Sequence, residues 1–171
     1  MSKWIGGLKE RPEWDAYFLA LAFVVSQKSI DENTCHGAII VNNRNRVVSI
    51  GYNGPPPGID DTSIPTAGQE KYDWFIHAEM NAIYNANQAL GGCVLYVTGP
   101  PCENCAKHIC ATEIKMVICG KSESKMVCEK KKAVSASIFE KAKVTMTQYS
   151  QTEDIKKILE RTLNYMEYKG L

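Results

Sequence analysis

The chain has 171 residues, 44% hydrophobic and 23% charged, which suits one domain (1–171) with a full hydrophobic core and excludes wholesale disorder. Twenty Lys and Arg against 19 Asp and Glu leave a formal net charge of +1, so there is no broad basic field for gripping a nucleic-acid backbone, and a small ligand is favoured over a polymer. The opening MSKWIGGLKERPEW lacks the apolar core of a secretory signal and no apolar run approaches the roughly 20 residues that cross a bilayer, so a cytoplasmic protein without a membrane partner is expected.

Trp14, Tyr17, Phe18, Leu21, Ala22 and Val25 recur at helical spacing after Pro12 and predict an amphipathic helix over 12–27. GAIIVNN (37–43) reads as a buried strand and RVVSIGYNG (46–54) as its hairpin partner. A long loop rich in Pro, Gly and acid follows over 55–73, and loops of that length inside a compact domain are usually functional. The pattern then predicts a helix over 77–88, a strand over 91–99, a helix over 103–112 and a strand over 115–120. GKSESKMVCEKKK (120–132) reads as a solvated connector, ahead of a helix (133–142) and a strand (143–148). Ile155, Ile158, Leu159, Leu163 and Met166 mark the apolar face of a last helix at about 152–168, to be packed on the sheet or on another subunit. Strands alternating with helices predict helices packed on a mostly parallel α/β sheet opened by an antiparallel hairpin.

Two short stretches carry chemistry. In FIHAEMNA, His77 precedes Glu79 by two residues at the start of a helix, a spacing that cannot share one ordinary helix face. In PPCENC, Cys102 and Cys105 open another helix; alone, such a CxxC suits zinc, a redox pair or two thiols in a first turn. Together with His77 they offer one nitrogen and two sulfurs, three ligands with a fourth position open, as in a catalytic zinc site. Two helix starts converging on one ion would let His77 and Glu79 reach the same place. The odd total of seven cysteines, spread through apolar segments, suits reduced thiols, and Cys93, Cys110 and Cys119 read as core residues.

H-x-E followed downstream by P-C-x-x-C is the signature of the zinc deaminases, in which the glutamate is not a zinc ligand but moves protons. From about residue 11 to 148, through RPEWDAYFLALA, HGAIIV, IGYNGPPPG, HAEMNAI and LYVTGPPCENCAKHI, the chain resembles the deoxycytidylate (dCMP) deaminases of the cytidine-deaminase superfamily. The resemblance implies a three-layer α/β/α sandwich around a five-stranded mixed sheet, with one catalytic Zn2+ on His77, Cys102 and Cys105 and Glu79 as the catalytic acid/base. It implies dCMP as substrate, contacted by Asn53 and Ala78, and Lys28 as a candidate for its phosphate. It further implies dCTP and dTTP as effectors, with Tyr52 and Gly54 as candidate contacts, and a homo-oligomer, a hexamer or a dimer.

Each of these residues also has a plainer reading. His77 alone could be a satisfied core histidine, Glu79 a helix-start acid, Asn53 a turn residue in Tyr-Asn-Gly, and Lys28 a solvated lysine. Cys35 and His36 are adjacent on an extended segment and read as one core and one surface residue. His108, three residues after Cys105, makes Cys102, Cys105 and His108 a rival ligand set, but one that leaves His77 and Glu79 without a role. Trp74 and Phe75 read as packing residues that could also wall a base pocket. Rival functions are a deaminase of another cytosine or adenine substrate (a nucleoside, dCTP or transfer RNA), a non-catalytic zinc protein, and a dithiol redox protein; Lys130, Lys131 and Lys132 form the one candidate basic patch.

Overall fold

The computed structural model describes residues 11–122 and 129–170. Five strands, β1 (Gly37–Val41), β2 (Val47–Tyr52), β3 (Val94–Val97), β4 (Met116–Cys119) and β5 (Thr145–Gln148), form one sheet in the order β2-β1-β3-β4-β5. Among the described residues five helices accompany them: α1 (Trp14–Ser26), α2 (Ala78–Tyr84), α3 (Glu103–Ala111), α4 (Glu129–Lys141) and α5 (Thr152–Lys169). β1 is antiparallel to both its neighbours, whereas β3, β4 and β5 run parallel. β2, β3, β4 and β5 thus share one direction, joined in turn through α2, α3 and α4, and β1 alone runs against them, which is the mostly parallel sheet opened by an antiparallel hairpin that the sequence predicts.

Every residue of β1 is buried, so its GAIIV is a continuous apolar run with two inner faces. Ala38 and Ile40 join the core beneath α2, α3 and α4, while Ile39 and Val41 join the core beneath α1 and α5. These are the three expected layers. The buried arc of α1 is wider than its spacing suggests, because α5 also packs against it: Leu19 and Ala20 are buried. Trp14 and Tyr17, expected on the inner face, lie at the exposed end. On α5 only the first half of the expected face packs, with Ile155 buried and Ile158 and Leu159 half-buried; Leu163 and Met166 stay exposed. No helix among the described residues is long and apolar enough to cross a membrane.

Three further boundaries differ from the sequence reading. The loop over 55–73 is not structureless but contains short 3-10 turns at Asp61–Ser63 and Glu70–Asp73. α2 stops at Tyr84, four residues early, where Asn85 donates to the Ile50 carbonyl at 3.1 Å. α4 begins at Glu129, so Lys130, Lys131 and Lys132 are its first turn and not connector; residues 123–128, with Cys128, lie outside the described residues.

At seven residues α2 is too short to hold itself together. It is fastened to β2 by side chains that reach backbone carbonyls: Asn81 to Tyr52 at 2.7 Å and Ser49 to Ala82 at 2.6 Å. The close approach needs Gly51, where an added Cβ would lie 2.2 Å from the Ala82 nitrogen and 2.4 Å from the Ala78 oxygen. Glycine on the strand thereby sets the height of the helix that carries Glu79.

Candidate metal centre and active site

The i, i+2 spacing of His77 and Glu79 is resolved by the helix start itself. His77 is the residue before α2, in extended backbone (φ −68°, ψ 153°), so it is free of the helix-face rule while Glu79 lies in the first turn. Cys102 stands in the same relation to α3, at φ −72° and ψ 172°, with Cys105 one turn on. The two helix starts face each other. His77 Nδ1 lies 3.3 Å from Cys105 Sγ and 3.5 Å from Cys102 Sγ. The ligand atoms of all three residues lie within 4.8 Å of one another, the one such group among the described residues. His108, the rival ligand, is exposed on the outside of α3.

The donor set can be tested against zinc. A tetrahedral ion with bonds of about 2.3 Å to sulfur and about 2.0 Å to nitrogen places N and S about 3.5 Å apart. The two N–S separations of 3.3 and 3.5 Å are close to that edge, and the borderline-soft N,S,S donors suit zinc. The protein's own electrostatics favour a cation here. Cys102 is drawn down to about 3, first by the hydrogen bond from the Cys105 thiol and then by His77, against burial. His77 rises to about 9 through its hydrogen bond to Cys102, with Glu79 helping, and Cys105 is pushed well above the usual thiol range. Binding of a divalent ion needs both sulfurs as thiolates and the imidazole neutral, so it would release protons from this group.

Glu79 is buried at 6% exposure, and its burial pushes the carboxyl above the usual range while the neighbouring His77 pulls it back. With His77, Ala78 and Cys102 it lines a cavity of about 260 Å³, the scale of a small ligand. Phe75 walls the cavity, as one reading of the sequence allowed, whereas Trp74 is 45% exposed and does not line it. His36 is not a surface residue: it lines the cavity with Nδ1 3.0 Å from Thr98 Oγ1, and burial, with the nearby His77, lowers its pKa. Cys35 points away, its thiol 3.3 Å from the Asp31 carbonyl.

Asn53 also lines the cavity, and its amide is almost fully committed. Its N–H groups donate to Asp31 Oδ2 and to the Thr34 carbonyl, both at 3.0 Å, and its Oδ1 accepts from the His36 N–H at 2.7 Å. What remains for a ligand is acceptor capacity on Oδ1, not the donor-and-acceptor pair the residue type suggests. Asp31 accepts in turn from the Asn33 and Thr34 N–H groups and pairs with Lys71, a lysine only 1% exposed. Lys71 and Asp31 are the members the sequence reading missed. Of the remaining candidates, Lys28 is exposed and does not line the cavity. Tyr52 and Gly54 are likewise off its wall; Tyr52 holds α2 through its carbonyl, and Gly54 bridges to Ile76 ahead of His77.

Residues 12–121 match the family model described as cytidine and deoxycytidylate deaminase zinc-binding region. Proteins named deoxycytidylate deaminase from Homo sapiens and Pongo abelii are each 47% identical over 113 residues, which cover 62% of this chain. The chain spans 64% of the length of these curated relatives. An uncharacterized deaminase of Aliivibrio fischeri is 37% identical over 137 residues, covering 79% of this chain and 92% of its own. Among solved structures, the dCMP deaminase of cyanophage S-TIM5 superposes with a TM-score of 0.65 over 82% of this chain and all of its own; at 23% identity that likeness concerns the fold. A nitrogen and two sulfurs gathered by two helix starts, inside the stretch that the family model covers, place the chain in the zinc-binding cytidine and deoxycytidylate deaminase family.

Proposed function

We propose that the protein converts dCMP to dUMP and ammonia by hydrolysis. The observation that carries this reading is the seat of Glu79: a buried carboxylate beside three convergent metal-ligating atoms, where Glu79, His77 and Cys102 line a cavity of small-molecule size. The choice of dCMP is supported by the 47% identity to proteins named deoxycytidylate deaminase, and the cyanophage enzyme of the same fold is described in complex with dCMP and dUMP.

His77, Cys102 and Cys105 would hold the zinc ion, which when bound supplies a Lewis-acidic fourth position that acidifies a water. Glu79 would accept a proton from the attacking water, whose oxygen bonds to C4, and deliver it to ring N3 of the cytosine. It then carries a proton to the exocyclic amine, which leaves as ammonia. Burial serves this shuttle, because a carboxyl raised above its usual range gives up and recovers a proton near neutral pH more readily than a solvated one. Phe75 and Ala78 exclude water from the base. Asn53, locked by Asp31 and His36, accepts from a sugar hydroxyl.

We carry two further expectations into the same proposal. Exposed Val47 and Ile50 on the edge strand and Tyr84 on α2 favour a homo-oligomer. Regulation by dCTP and dTTP would act near Tyr52 and Gly54, which connect the loop over 55–73 to the residues just before His77. The deciding experiment is to incubate the purified protein with dCMP, CMP, deoxycytidine and dCTP and follow loss of cytosine absorbance, with dCTP or dTTP added as effector. Preferential turnover of dCMP supports the reading; turnover of another substrate in its place rejects it.

A further inference from the structure

The floor of the cavity treats a nucleoside and a nucleotide alike, since Glu79 and the metal ligands meet only the base. Discrimination belongs where the phosphate sits. The exposed residues of the cavity wall, Gln69, Asn104 and Lys131, form its mouth, where a 5'-phosphate would keep part of its hydration. We propose that Lys131, in the first turn of α4, is the cation that receives the 5'-phosphate, and that Glu103 holds it in place between turnovers. This inference rests on the deamination reading above and adds to it the group that selects a monophosphate over a nucleoside.

Lys131 is the single lysine or arginine among the described residues lining the cavity. The other lysines near the site are otherwise engaged or misplaced: Lys71 is buried against Asp31, and Lys28 is exposed off the wall. Lys131 Nζ lies 3.5 Å from Glu103 Oε1, with the lysine side chain 53% and the glutamate side chain 21% exposed. A pair that long and that wet is weak, so it aims the lysine at the mouth without trapping it. A phosphate dianion offers three strong acceptors and draws the ammonium away from a single carboxylate oxygen. Glu103 gives the arrangement its sign. It is the residue after Cys102, its Oε2 is buried without a hydrogen-bond partner, and without Lys131 it would face an arriving phosphate as an uncompensated negative charge.

The test is the ratio of kcat/KM for dCMP to kcat/KM for deoxycytidine, measured on the zinc-loaded full chain for wild type, Lys131→Ala, Lys131→Glu and Lys131→Arg. Both substrates use one floor, so a loss of fold or metal cancels in the ratio. Loss of one partly exposed charge-assisted contact lowers the ratio about tenfold in Lys131→Ala. The ratio falls further in Lys131→Glu and recovers most of its value in Lys131→Arg. Raising the ionic strength lowers the wild-type ratio and leaves that of Lys131→Ala flat. A wild-type preference for dCMP that survives both Lys131→Ala and Lys131→Glu overturns the proposal alone. A wild type that deaminates deoxycytidine but not dCMP overturns the underlying reading, and the proposal with it.

Discussion

The floor and the mouth of the cavity are built on opposite terms. At the floor, two helix starts are pressed against the sheet, Glu79, Cys102 and Cys105 are buried, and each side chain is held by its element and its neighbours. At the mouth, Lys131, Gln69 and Asn104 are exposed, and the pair between Lys131 and Glu103 is long. Burial makes electrostatics strong and geometry rigid, as the proposed proton transfer and metal binding require; exposure keeps contacts weak and exchangeable, as the proposed entry and release of a charged substrate require. Substitutions at the floor should therefore abolish the reaction, and those at the mouth should retune it.

The largest effect is expected at Glu79. Glu79→Gln keeps the shape of the side chain and lies outside the metal-ligating group, so zinc content should stay at the wild-type level while kcat falls by about 10²- to 10⁴-fold, the usual worth of a positioned acid/base. Near-normal turnover in that variant would remove Glu79 from the mechanism.

Between floor and mouth runs the buried chain from Lys71 through Asp31 to Asn53. Lys71→Met strands the Asp31 carboxylate in the protein and should cost about 3–5 kcal/mol in urea unfolding, with a rise in KM as Asn53 loses its orientation. The double variant Lys71→Met with Asp31→Asn should recover part of that stability, because no unpaired charge remains. A single variant as stable as wild type would show that the pair does not brace the wall.

The smallest effect belongs to His36. Burial lowers its pKa below the unfolded value of 6.5, so the folded chain keeps it neutral while the unfolded chain takes up a proton. Its contribution is therefore present above pH 6.5 and declines as the pH falls below it. The stability difference between wild type and His36→Gln should shrink between pH 7.5 and 5.5; a difference that grows toward acid would mean that the folded state holds His36 charged.

The same division decides how much could be read from the amino-acid order. His77, Glu79, Cys102 and Cys105 are legible because each sits at a helix start, where a few neighbouring residues fix both the backbone and the direction of the side chain. The strands are legible because β1, β3 and β4 are short apolar runs. Lys71 is not: a lysine in an acidic, Gly-rich loop reads as solvated, and its partner Asp31 lies 40 residues earlier, brought near only by the folded loop. Lys131 is hidden for another reason. Three consecutive lysines carry no helical period, and only the packing of α4 on α3 turns the middle one toward the cavity. Asn53 shows a third limit, since its residue type gives its donors and acceptors but not that His36, Asp31 and Thr34 already use most of them.

The proposed chemistry requires His77, Cys102 and Cys105 to share one ion beside Glu79. Zinc K-edge absorption on the purified chain, with metal content and turnover of the same preparation, tests this most directly. The predicted result is one zinc per chain with two sulfurs at about 2.3 Å and nitrogen at about 2.0 Å in its shell. An active preparation without zinc, or a shell of four sulfurs, would contradict it.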